Sequence, residues 1–231
     1  MKKTFLISTA IDYPNSKPHQ GHLYEKILAD CISRWKRLQG FKVHFSTGLD
    51  EHGLKIQRAA EKENKTSKKF VDEMSKHFLE LCKIYNISYD DFIRTTEKRH
   101  EHVVKEILSQ IYKNKFIYKG SYKGQYCVDC ETFYTKKDLI DGKCSIHKKS
   151  TELFKEDGYF FKMGHFQNKL IKHIKENPDL IPSDKKRNEI LKRLEQPLKD
   201  LSITRKNVWG LKFPIDKNYS TAVWTEALLS Y

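Results

Sequence analysis

Residues Thr4–His22, TFLISTAIDYPNSKPHQGH, decide how this chain is to be read. Thr4 to Ala10 is apolar and rich in β-branched residues, and it reads as a first, buried strand. Ile11 to Lys17 collects Asp, Asn, Ser and Pro14, and Pro18 closes it, so a loop follows. Beyond it, Leu23, Tyr24, Ile27, Leu28, Cys31, Ile32, Trp35 and Leu38 recur with helical period. Glu25, Lys26, Arg34 and Arg37 stand among the polar positions between them, which makes the helix amphipathic. Gly40 is a C-terminal stop, and Phe41, Val43 and Phe45 alternate with polar residues as a second strand.

The same alternation continues downstream. Helices are expected from Leu54 to Glu63, Lys68 to Tyr85 and Glu97 to Lys113. Their core sides carry Phe70, Met74, Phe78 and Leu81, then Val103, Val104, Ile107, Leu108 and Ile111. Strands alternating with helices predict an α/β fold built on a parallel, doubly wound sheet. The character changes after Asn114. Phe116 to Thr135 is aromatic, punctuated by glycine and strand-like, and Tyr159 to Phe161 reads as another strand. Helices follow near Phe166–Glu176 and Lys185–Leu194, the second stopped by Pro197. From Thr221 to Tyr231 the chain reads as a strand, AVW, turning into a helix, EALLSY. The expected organisation is a first α/β layer over 1–115, an insertion over 116–212, and a return of the sheet over 213–231.

Composition narrows the class. With 231 residues the chain is long enough to bury a core without disulfides. Thirteen Phe and twelve Tyr argue against wholesale disorder despite 32% charged residues. No apolar run reaches the length of a membrane span. The opening MKKTFLISTAIDYP faintly imitates a signal peptide but is expected to be a buried first strand, because Asp12 interrupts a short apolar stretch and no small-x-small site follows. The formal net charge of +14 favours a polyanionic partner, RNA or DNA ahead of an acidic membrane, although a Lys-rich composition bias gives the same number. Five cysteines, an odd number with three clustered, fit a reducing compartment and a metal site better than a disulfide framework.

Three strings carry chemistry. Pro18-His19-Gln20-Gly21-His22 lies between the first strand and the first helix. A helix N-terminus presents unpaired N–H groups to phosphate, and the two imidazoles add donors. Gly21 leaves room for a nucleotide to approach the backbone. Gly48-Leu49-Asp50-Glu51-His52-Gly53 ends the second strand. In an open parallel sheet ligands bind beyond the carboxyl ends of the strands, so this loop and the His19–His22 loop are expected to face one crevice. A carboxylate there, Asp50, suits a substrate ammonium. The third string is Cys127-x2-Cys130-x13-Cys144-x2-His147, a Cys₃His set with the spacing of a closed, structural zinc site. Cys31 and Cys82 lie on apolar helix faces and are expected in the core. Asp200–Arg205 and Val223–Tyr231 are weak signals by themselves, and neither a dinucleotide fingerprint nor a Walker P-loop occurs.

Taken together, AIDYPNSKPHQGH, LDEHG, the zinc knuckle, DLSITR and AVWTEALLSY, with GYFFKM and ENPDLI, resemble the methionyl-tRNA synthetases, a class I aminoacyl-tRNA synthetase family. The resemblance runs from about Thr4 to the last residue. It implies a Rossmann-type catalytic domain interrupted by a zinc-bearing connective-peptide insertion. It also implies cytoplasmic, ATP- and Mg²⁺-dependent activation of L-methionine and transfer to tRNA(Met). On this likeness His19 and His22 are the catalytic pair. His19, Gly21, His22 and Arg205 face ATP, and Asp50 holds the methionine ammonium. Ile11, Tyr13, Trp224, Ala227 and Tyr231 wall the methionine pocket. Cys127, Cys130, Cys144 and His147 hold one zinc ion.

The chain departs from the family pattern in three places. Leu49 replaces a small hydroxyl residue before Asp50, and Glu226 stands where Asp is usual. No K-M-S-K-S loop or anticodon-binding domain occurs up to Tyr231, so the isolated chain is expected to be incomplete, marginally stable and unable to charge tRNA. The competing reading is a non-catalytic, zinc-containing tRNA- or RNA-binding protein. A cysteinyl or leucyl relative fits less well, because the knuckle lies in the insertion and no large editing domain is present.

Overall fold

The structure is a computed structural model, and it describes residues 3–130, 132–134 and 139–231. Glu131 and Thr135 of the strand-like stretch lie outside the described residues.

The amino-terminal layer is α/β. Strands β1 (Thr4–Asp12), β2 (Lys42–Leu49) and β3 (Asp91–Arg94) form a parallel sheet in the order β1-β2-β3. Helix α1 (Gln20–Leu38) crosses from β1 to β2; α2 (Leu54–Lys62) and α3 (Ser67–Ile84) lead from β2 to β3; α4 (Lys98–Lys113) leaves the sheet. Strand β3 is an addition to the sequence reading. It is only four residues long, and Gly48 makes its pairing possible: a Cβ at that position would lie 2.1 Å from the Ile93 carbonyl oxygen.

Two expectations fail in this layer. Strand β1 is an edge of the sheet, and of its residues only Thr9 and Asp12 are buried; Leu6 is open to solvent. Helix α1 turns its polar side inward. Lys26, Ala29, Asp30 and Ser33 are buried, with Lys26 paired to Asp12 and Asp30 accepting from the Ser88 backbone N–H at 2.7 Å. The apolar stripe therefore faces out: Tyr24 is 66%, Trp35 59% and Leu38 82% exposed. Cys31 is exposed with them and is no core residue, whereas Cys82 is buried beside Ala29, Phe45 and Ile87 as expected. Amphipathicity reports that a helix has an apolar face; it does not report what covers that face.

The other helices pack as their periodicity predicts. Ile56 and Ala60 of α2 meet Phe70, Val71 and Met74 of α3. Val104 and Leu108 of α4 join Ile117, Tyr159, Ile203, Leu211, Phe213 and Tyr219 in a core that ties the first layer to the rest of the chain. Val103 is exposed.

The sheet that follows α4 is antiparallel. Strand β4 (Ile117–Cys127) pairs along its length with β8 (Glu152–Phe161), and β5 (Thr132–Tyr134) and β9 (Leu201–Ser202) flank them in the order β5-β4-β8-β9. Strand β8 begins seven residues earlier than its apolar end suggests, because its first half is charged. A small hairpin, β6 (Leu139–Ile140) and β7 (Lys143–Cys144), hangs from this sheet. Helices α5 (Gln167–Glu176) and α6 (Asp184–Arg193) follow.

The end of the chain corrects the sequence reading. Ala222-Val223-Trp224 is no strand. The strand is β11 (Tyr219–Thr221), which pairs antiparallel with β10 (Thr204–Lys206) and does not join the parallel sheet among the described residues. Helix α7 (Val223–Ala227) starts at once, and a short 3₁₀ turn, Leu228–Ser230, carries the chain to Tyr231. Apolar residues that are buried in a helix read like those of a short buried strand, and only length separates the two.

Candidate functional site

The site is assembled at the carboxyl ends of β1 and β2. The parallel register sets Ile11 beside Gly48 and Asp12 beside Leu49, and the Asp50 backbone N–H continues the ladder to the Asp12 carbonyl at 2.8 Å. The loop that follows β1 and the loop that follows β2 thus leave the sheet side by side. His19 and His22 sit on the first, at the N-terminus of α1, and Asp50 sits on the second, nearly fully buried.

The two imidazoles are organised by the helix end. His19 is the N-cap: its Nδ1 accepts from the Gly21 N–H, and its own N–H donates to Nδ1 of His22, each at 3.1 Å. The rings stack with centroids 3.8 Å apart. Burial pulls His22 below the usual histidine range, partly offset by the Asp12 carboxylate and reinforced by His19. In this reciprocal capping Nδ1 of both residues accepts, which leaves Nε2 of each ring for other contacts. The open space at Gly21 is used by His19 itself, since a Cβ there would lie 2.9 Å from its imidazole.

The loop Asp50–Gly53 is held from several directions. Glu51 N–H donates to Thr95 Oγ1 at 2.9 Å, and its buried carboxylate takes Arg94 Nε at 2.7 Å. Gly53 N–H reaches the Trp209 carbonyl at 2.8 Å, and the Trp209 indole N–H returns to the Glu51 carbonyl at 2.7 Å. His52 Nδ1 lies 2.7 Å from Glu226 Oε1 on α7, with both side chains buried. Burial pushes the Glu226 carboxyl up, and His52 works against it. None of Thr95, Trp209, His100 or Glu226 received a role from sequence. His52 and Glu226 stand inside strings that were singled out, but only the fold reveals that they meet.

The residues expected to wall a methionine pocket come from both ends of the chain, and two of them, Ile11 and Tyr231, meet directly. The Ile11 N–H donates to the Tyr231 hydroxyl at 3.0 Å across 220 positions of sequence. Tyr13 packs beside α2 and Trp209. Ala227 is buried on α7, and Trp224, half exposed, donates its indole N–H to the Cys130 carbonyl at 3.1 Å. Arg205 lines a cavity of about 450 Å³ together with Trp224, Ala222, Cys130 and His147. Its guanidinium lies against the Tyr126 ring and donates to the Thr204 carbonyl at 2.6 Å.

Beside this cavity the ligand atoms of Cys127, Cys130, Cys144 and His147 lie within 4.8 Å of one another. Cys130 Sγ is 3.5 Å from Cys144 Sγ and 3.1 Å from His147 Nδ1. Sulfurs about 2.3 Å from a tetrahedral zinc stand nearly 4 Å apart, so the set fits that ion with little movement. Burial drives the Cys130 thiol up to about 12. Cys144 resists its burial, because the N–H groups of His147 and Ile146 bring it down to about 6. The Tyr134 hydroxyl donates to Cys130 Sγ at 3.1 Å, an outer partner that the spacing of the knuckle did not announce.

The comparisons with known proteins meet this geometry. The family described as tRNA synthetases class I (M) matches residues 5–138 and 134–231, and the chain belongs to that family. It is 44% identical over 232 residues to the methionine–tRNA ligase of Caldanaerobacter subterraneus subsp. tengcongensis, covering all of this chain and 36% of that protein. The methionine–tRNA ligase of Clostridium acetobutylicum gives the same identity and coverage. Among solved structures, Mycobacterium tuberculosis methionyl-tRNA synthetase in complex with methionyl-adenylate superposes with a TM-score of 0.95 at 36% identity, over all of this chain and 46% of that one. The free state of the same enzyme gives 0.82. The chain therefore spans between about a third and a half of the length of these relatives. Among the described residues no helix is long and apolar enough to cross a membrane.

Proposed function

We propose that this chain binds L-methionine and ATP at the carboxyl ends of β1 and β2, as the part of a cytoplasmic methionyl-tRNA synthetase in which methionyl-adenylate forms. The observation that carries the reading is the convergence of Asp50, the His19–His22 helix end and the Ile11–Tyr231 contact on one end of the sheet.

The chemistry follows from charge and position. Asp50 takes the methionine ammonium and leaves the carboxylate free. Ile11, Tyr13, Trp224, Ala227 and Tyr231 offer aliphatic and aromatic walls to a polarizable thioether. The methionine carboxylate attacks the α-phosphorus of Mg²⁺-bound ATP in line, the bond to the β-phosphate oxygen breaks, and pyrophosphate leaves. The first-turn N–H groups of α1 and the imidazoles of His19 and His22 stabilise the charge on the phosphoryl oxygens, with Arg205 as a further cation near the crevice. The rate gain comes from alignment and charge stabilisation rather than covalent catalysis. The adenylate then passes its methionyl group to the 3′ adenosine of tRNA(Met). The surplus positive charge suits that polyanion. Cys127, Cys130, Cys144 and His147 hold a zinc ion that closes the knuckle and takes no part in the reaction.

Calorimetric titration of the chain with L-methionine tests the reading. Truncating the acid opposite a buried ammonium costs at least about 2 kcal/mol, so Asp50→Ala should weaken binding about thirtyfold or more. Equal affinity of the two chains removes Asp50 from this role. Salt-dependent RNA binding without methionine or ATP binding favours the non-catalytic RNA-binding alternative.

A further inference from the structure

Glu226 is the most completely enclosed carboxylate of the α7 region, at 0% exposure. Its Oε1 stands 2.7 Å from Nδ1 of His52, and its Oε2 stands 3.8 Å from Nε2 of His100, beyond hydrogen-bond distance. A carboxylate is expensive to bury, and one imidazole contact does not satisfy both oxygens. A cost of this kind persists where it fixes a geometry that packing alone leaves loose. The three residues come from three separate elements: the corner after β2, the first turn of α4, and α7.

The location gives the pair its meaning. His52 is two residues from Asp50 on a corner already pinned to Asp12, Thr95 and Trp209. Glu226 lies between Trp224 and Ala227 on the helix whose continuation ends at Tyr231, and the Tyr231 hydroxyl accepts from Ile11. Closing His52 onto Glu226 therefore fixes the spacing between an acid on one loop and an apolar wall on another element. A ligand that joins an ammonium to a thioether must match that spacing with both of its ends at once.

We propose that Glu226 is a positioning residue: through His52 it sets where Asp50 stands relative to α7, and so selects a ligand whose ammonium and apolar side chain are both engaged. The inference rests on the methionine reading above. Glu226 itself touches no substrate. The 2.7 Å contact holds the imidazole against the carboxylate, and the corner bearing Asp50 follows the ring.

The experiment is a paired titration of the full chain with L-methionine and with 4-(methylthio)butanoate, which keeps the carboxylate and thioether and lacks the ammonium. Glu226→Met removes the acceptor at similar length. It should weaken L-methionine at least tenfold while changing the analogue less than threefold. Glu226→Gln retains an acceptor facing Nδ1 and should hold L-methionine affinity within threefold of the unaltered chain. Should Glu226→Met fail to fold, the partner side asks the same question. His52→Leu should reproduce the ammonium-selective loss, and His52→Asn, which restores a donor near Nδ1, should recover it. Equal weakening of both ligands, or undisturbed L-methionine binding in a folded Glu226→Met or His52→Leu chain, assigns Glu226 to structure alone and overturns the proposal. If the unaltered chain binds neither ligand, the functional reading falls and this inference falls with it.

Discussion

Helix α7 is supported from two sides by two kinds of chemistry. On one side the Asp50–Gly53 corner reaches it through the buried His52–Glu226 contact. On the other side the Cys/His knuckle reaches it through the Trp224 indole and the Cys130 carbonyl. The corner grows out of a parallel sheet and is held by backbone ladders, an Arg94–Glu51 pair and a tryptophan. Among its described residues the knuckle carries the small β6–β7 hairpin, and its four candidate ligand atoms lie within 4.8 Å of one another. The lesson is one of size. A corner backed by a core can be held by packing and hydrogen bonds, whereas a hairpin of a few residues needs a cross-link.

The largest effect separates these two supports. Structural zinc sites in small finger peptides are worth roughly 10–16 kcal/mol of apparent binding free energy, and that energy is the folding energy of the module. Chelation, or Cys144→Ser, should therefore unfold the knuckle. The α/β layer, with its own cores around Phe70 and Phe45, should keep its helices. Elemental analysis together with far- and near-ultraviolet circular dichroism reads both halves of the expectation. A chelated, metal-free chain with unchanged spectra would show that the knuckle stands on packing, and the contrast between the two supports would vanish.

The next effect belongs to the corner. Burial drives His100 down to about 4, with His52 and Arg99 adding to the shift. The unfolded chain takes up a proton at this residue near pH 6.5, whereas the folded chain refuses it until about pH 4. Between those values the unfolded state holds the extra proton, so stability falls as pH falls. The full window is worth about 3 kcal/mol. Glu226 acts in the opposite sense, because burial raises its carboxyl and the folded chain accepts that proton more readily. The contribution of His100 is therefore read as a difference. Denaturant unfolding at pH 7 and pH 4.5 should show His100→Gln losing less stability than the unaltered chain over this interval. Parallel curves would place the acid sensitivity elsewhere, with Asp30 as the next group to test, since Ser88 and Arg34 outweigh its burial and hold it below the usual carboxylate range.

Much of this was legible in the sequence because the signals were local. The period of α2 to α6, the knuckle spacing, and the placing of His19, His22 and Asp50 at strand ends follow from neighbouring residues. What escaped depends on contacts distant along the chain. Strand β3 is four residues long and exists because Gly48 lets its backbone close on Ile93. The inward face of α1 is its polar one, because Asp12 on β1 and Ser88, 58 residues beyond Asp30, give Lys26 and Asp30 partners. Glu226 and His52 are separated by most of the chain, and no spacing rule connects them. Reading Ala222–Trp224 as a strand failed because three apolar residues carry no period.

The smallest effect tests the joint between the knuckle and α7. The Trp224–Cys130 hydrogen bond is partly open to solvent, and an exposed neutral bond contributes on the order of 1 kcal/mol or less. Trp224→Phe keeps an aromatic wall and deletes the donor, and water replaces it at the carbonyl. The thermal midpoint should fall by no more than about 2–4 °C. The informative reading is the midpoint of the same variant after chelation. If the indole is what carries strain from the knuckle to α7, the variant and the unaltered chain should lose the same amount when the knuckle unfolds, less the small contribution of the bond itself. A much larger drop in Trp224→Phe would mean that the indole is holding α7 against the parallel layer instead, and that the two supports are not separate.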